Sequence, residues 1–157
     1  GYPIEVGWVF ENGKGEAHLI RPAPGWDDWD EDAAATHGLT RETLRRDGEP
    51  VGDVAARMVA ELSAHDLYAS APSWDGKWMS LLLRAAGHPR HELRLRDTEV
   101  AFAEAAAERL GPEAGSEDIA ALIAHARLSL DTEPVAHRAL ADARKELAIY
   151  DAVVRGV

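Results

Sequence analysis

A chain of 157 residues, 46% hydrophobic and 29% charged, has the size and composition of one soluble globular domain with a core of its own. It contains no cysteine, which excludes disulfides, thiolate nucleophiles and zinc–thiolate sites, and its formal net charge of −11 argues against a protein that coats polynucleotide non-specifically. No apolar run approaches the roughly 18 residues of a membrane span and no basic leader precedes an apolar segment, so a reducing cytoplasm is the expected compartment. Acidity argues less against an enzyme that grips one strand end, where bound metal ions supply positive charge locally.

The chain opens with "PIEVGWVF", in which Ile4, Val6, Trp8 and Phe10 alternate with Glu5, Gly7 and Val9 at strand period. Asn12-Gly13 signals a hairpin, and "EAHLIRP" reads as its second strand, stopped by Pro22 and Pro24. "APGWDDWDED" is expected as a loop in which Trp26 and Trp29 sit among Asp27, Asp28 and Asp30; that acidity disfavours phosphate contact there. A short helix follows Thr40, a suitable cap. Val51, Val54, Ala55, Met58, Val59 and Leu62 recur at helical spacing, and "DLYASAP" is a short strand candidate. "SWDGKWMSLLLRAAG" predicts a helix capped at Ser73 and stopped at Gly87, and "HELRLRD" predicts a strand in which Leu93 and Leu95 alternate with arginines. Three helices complete the chain: one ending at Gly111, one capped at Ser116 and one from about His137 to Val154. The order predicts an α/β domain over residues 1–157, a sheet packed by helices.

Candidate chemistry lies at two helix starts. Asp75 falls in the first turn after Ser73, where the helix dipole and free amides favour an ionised carboxylate. In "EPVAHRALADARKEL", His137 and Asp142 are five residues apart, about 500° of regular helix, which leaves the side chains roughly 140° apart. They can meet only if the helix starts near His137, after Pro134, with the histidine on its entry loop. Carboxylate oxygens suit Mg²⁺ or Mn²⁺. A rival grouping, His65-Asp66 with His37 and Asp142 as a helical metal phosphohydrolase, is disfavoured because His65-Asp66 runs straight into a strand candidate.

Four stretches, in order, resemble the DnaQ-like (DEDDh) 3′→5′ exonucleases of the RNase H-like fold: "PIEVGW", "THGLTRETL", "YASAPSWDGKWMSLLL" and the His-x4-Asp of "HRALADA". The resemblance covers nearly the whole chain. It implies an RNase H-like mixed sheet flanked by helices, two divalent ions held by Asp75 and Asp142, and His137 as general base. It also implies a single-stranded 3′ end, DNA or RNA, beside His37, Gly38, Leu39 and Trp74, and a homodimer is compatible with it. Trp78 is expected in the core. The family's first motif, Asp-x-Glu on the central strand, has no counterpart here. Glu5 is no substitute, because it belongs to the neighbouring strand. An upstream segment carrying that strand is the favoured expectation; a catalytically inactive binding or scaffold module is the alternative.

Overall fold

The computed structural model describes residues 1–130 and 137–156. These residues form an α/β structure of seven helices and four short strands. Strand β1 (Glu5–Val9) pairs antiparallel with β2 (Gly15–Leu19), with Glu5 opposite Leu19 and Trp8 opposite Glu16. The connection is tighter at its end than a bare Asn-Gly signal requires: the Phe10 amide bonds the Lys14 carbonyl, and Gly13 takes the left-handed conformation at φ 89°. Glu49 then runs briefly beside β2, its amide donating to the Leu19 carbonyl and its carbonyl accepting from the Arg21 amide.

The aromatic-acidic stretch is partly helical, unlike the loop expected there. Helix α1 (Glu31–His37) is capped by the Asp30 carboxylate, which accepts from the Asp32 and Ala33 amides, and it ends on Gly38 at φ 72°. Three alanines and two first-turn acids favour that helix locally, which aromatic neighbours obscure in the sequence. Trp26 and Trp29 pack inward: Trp26 stacks on Tyr2 at 5.6 Å, and both lie on the small cluster of Tyr2, Leu39 and Leu44. Helix α2 (Arg41–Asp47) begins at its Thr40 cap as the sequence predicts.

Helix α3 (Val51–Leu62) buries Val54, Ala55, Met58 and Leu62, the predicted stripe. After strand β3 (Leu67–Ala69), helix α4 (Pro72–Ala85) starts two residues earlier than its candidate cap. Pro72 takes the first helical position and Ala71 the cap, so Ser73 lies inside the helix and caps nothing. Strand β4 (Leu95–Asp97) pairs parallel with β3, while Leu93 is buried in the core just before it. Asp97 caps α5 (Thr98–Leu110), which packs with α6 (Ser116–Leu130) and α7 (Ala139–Arg155) around Phe102, Ile123, Ile149 and Val153. No helix among the described residues is long and apolar enough to cross a membrane.

The strands do not merge into one mixed sheet. They form two separate pairs, β1–β2 and β3–β4, with no strand hydrogen-bonded between them. One face of the hairpin carries Val6, Trp8 and Phe10 into the core with α3 and α4. Gly7, on the other face, lets the start of α7 lie directly on β1.

Candidate active site

The two strand pairs and the surrounding helices enclose a cavity of about 2000 Å³. Asp75 and Asp142 both line it, from the first turns of α4 and α7. The Asp142 amide donates to the Arg138 carbonyl, which closes that first turn. Asp75 is half-buried, and burial raises its carboxyl above the usual range, against the opposing pull of the Ala71 backbone. Both carboxylates sit where a helix dipole favours negative charge, as the spacing predicts.

Helix α7 begins at Ala139, later than expected, because Arg138 is still extended and has no capping side chain. Glu5 takes over that task from β1. Its carboxylate accepts from the Ala139 amide at 3.0 Å and forms a two-pronged pair with Arg138 at 2.8 and 3.0 Å. Burial pushes the Glu5 carboxyl up, but these donors outweigh it and hold the group below its ordinary value. The sequence carries no signal for this contact, since Arg138 and Glu5 lie 133 positions apart.

His137 is exposed and adopts φ 52°, a left-handed backbone that non-glycine residues seldom take. It does not line the cavity, whereas Asp142 does. The start of α7 therefore brings His137 and Asp142 near in sequence without placing both on the cavity wall. Pro134, whose position framed the expected helix start, lies outside the described residues. His37 ends α1, lines the cavity and accepts the Leu39 amide at Nδ1. Burial lowers its pKa, and Arg138 reinforces that against Glu5. Gly38 is exposed, while the Leu39 side chain is buried with Tyr2 and Leu44, away from the cavity.

Trp74 is 59% exposed at the cavity mouth, edge-on to Trp78 at 5.6 Å. The Lys77 ammonium lies over both rings, at 5.2 and 4.9 Å from their centroids. Trp78 is half-buried on the cavity wall, not in the core. With Trp8 and Trp29, these bring four of the five tryptophans to the cavity. Glu146 of α7, which the sequence does not single out, also lines it and accepts from the Thr98 hydroxyl at 2.9 Å.

The donor chemistry fits a divalent ion only in part. Asp75 and Asp142 supply oxygen ligands, but Glu5 is engaged by Arg138 and Ala139, and no three His, Asp or Glu side chains group around one point among the described residues. These residues alone do not complete a metal centre. The rival His65-Asp66 grouping is drawn apart: the His65 ring packs on Phe10 at 4.8 Å, and Asp66 faces Arg96 at 3.6 Å. Comparison with protein families, curated proteins and solved structures gives no match to this chain.

Proposed function

We propose that this chain is a 3′→5′ exonuclease domain of the DnaQ-like kind, with an RNase H-like architecture, acting on the 3′ end of single-stranded nucleic acid. One observation carries the reading: Asp75 and Asp142 line a single cavity from the first turns of two separate helices, beside an exposed aromatic platform. In this reading the two carboxylates contribute oxygen ligands to Mg²⁺ or Mn²⁺, with further ligands needed to complete the set. His137, titrating near neutrality in its free form, takes the proton of the attacking water. Trp74 stacks a terminal base without reading its identity, Lys77 faces phosphate, and the His37-Gly38-Leu39 turn borders the same nucleotide.

A second reading, a module that binds strand ends without cleaving them, is favoured by the incomplete ligand set. A 5′-labelled single-stranded oligonucleotide with Mn²⁺, beside an EDTA control, separates the two. A metal-dependent ladder shortening from the 3′ end, lost in Asp142→Asn and His137→Ala, establishes the nuclease. Binding by fluorescence anisotropy without a ladder establishes the module. Neither binding nor ladder overturns both.

A further inference from the structure

The backbones of β1 and β3 leave an unused position between them. Ile4, Val6, Trp8 and Phe10 turn their backbone groups toward β2, as the Ile20 amide on the Ile4 carbonyl and the Phe10 amide on the Lys14 carbonyl show, at 2.9 Å each. Ladder alternation then aims the amides and carbonyls of Glu5, Gly7 and Val9 at the opposite edge. That edge has no strand partner among the described residues, and neither has the edge of β3 away from β4. Both free edges border the same cavity. β1 and β3 line it along their whole length, whereas β4 contributes only Leu95 and β2 contributes nothing.

The walls favour an extended occupant. Met58, Leu62 and Met79 face it from α3 and α4, and Ala101, Ala105 and Ala143 from α5 and α7. Short side chains on the second wall leave room for a backbone to pass. Two side-chain donors of cavity-lining residues, Tyr2 Oη and Trp8 Nε1, are buried without a hydrogen-bond partner among the described residues. A helix or small molecule in this space leaves two rows of backbone groups unpaired, at a cost of about 1–3 kcal/mol for each buried group. A strand presents donors and acceptors on both sides and satisfies both rows.

We propose that this slot accepts an extended polypeptide strand, apolar at the alternate positions that face α3 and α4, which pairs with β1 on one side and β3 on the other. Five strands then form one sheet in place of two isolated pairs, each of which is short for independent stability. The proposal rests on backbone geometry and is independent of the nuclease reading.

Gly1 lines the same cavity against the Trp78 ring, so a strand tethered there needs only a tight turn to run antiparallel beside β1. The test adds, ahead of Gly1, an Asn-Gly turn and a strand of about seven alternating Val and Thr residues. Hydrogen exchange by NMR then reads Glu5, Gly7 and Val9 together with Leu67–Ala69. The expected result is at least about tenfold slower exchange on the free edges of both β1 and β3, abolished when alternate strand positions are proline. Should the extended chain fail to fold, the same strand titrated as a free peptide must shift the amide resonances of both edges. Protection of β1 alone, no difference from the proline control, or protection already present in the monomeric chain overturns the proposal. So does sedimentation of the unextended chain as a dimer with both edges protected, which assigns the slot to a second copy.

Discussion

A methyl group on Gly7 would lie 2.6 Å from the Leu140 amide nitrogen, so β1 and the first turn of α7 meet backbone to backbone. The atoms in the way belong to main chain, and neither element can yield by a rotamer change. Gly7→Ala is expected to cost about 1–3 kcal/mol, a fall in Tm of roughly 3–10 °C, and Gly7→Val more. Gly52, in α3, has open space where its Cβ would stand, so Gly52→Ala raises stability by about 0.5–1 kcal/mol. Thermal unfolding by circular dichroism checks both, and an unchanged Tm in Gly7→Ala contradicts the contact.

Glu5 ties the hairpin to α7 by charge. Its folded-state pKa is depressed, so its contribution is present above the ordinary carboxylate value and is lost as pH falls through the lower folded value. Arg138 is half-exposed, which moderates the pair, and Glu5→Gln is expected to cost about 1–2 kcal/mol at pH 7. Urea denaturation at pH 7 and pH 3 should show the two proteins converging at the lower pH.

His18 gives the opposite slope. Burial lowers its pKa, but hydrogen bonds to Glu16 and Glu49 outweigh that and raise it overall. Stability from this contact is therefore full below about pH 6.5 and is lost as pH rises through the raised folded value. Wild type and His18→Gln should differ by about 0.5–1 kcal/mol at pH 5.5 and by less at pH 8.5. A constant difference across that range refutes the linkage.

Asp75 is held at a cost. Its half-buried carboxylate faces desolvation with little compensation, so without a bound cation Asp75→Asn should be neutral or stabilising by up to about 1 kcal/mol. The same change should abolish metal-dependent cleavage. Stability and turnover moving in opposite directions mark a residue kept for chemistry. A destabilised Asp75→Asn would assign it to packing instead.

Local signals in the sequence carry most of the element order. Alternation and Asn12-Gly13 specify the hairpin, and the α3 stripe specifies its buried face, because both are set by neighbours within a few residues. Asp75 and Asp142 are readable for the same reason, as acids in first helical turns. Helix α1 escaped that reading because its cap, Asp30, is one of several acids in an aromatic stretch. The contact of Glu5 with Arg138 and the separation of the strands into two pairs depend on distant segments. No local pattern encodes either one. Leu39 shows the limit most plainly: its place beside a candidate loop is visible in the chain, while the direction of its side chain, into the Tyr2–Leu44 cluster, depends on tertiary packing.

The gathering of Trp8, Trp29, Trp74 and Trp78 around one cavity also fixes how the protein behaves under ultraviolet light. Only Trp26, stacked on Tyr2, stands outside that set. Intrinsic emission is therefore dominated by rings that share a single environment, with the Lys77 ammonium resting on two of them. Filling the cavity dries those indoles and displaces the cation, so a blue-shifted spectrum reports occupancy without any attached dye. The fold carries its own optical gauge.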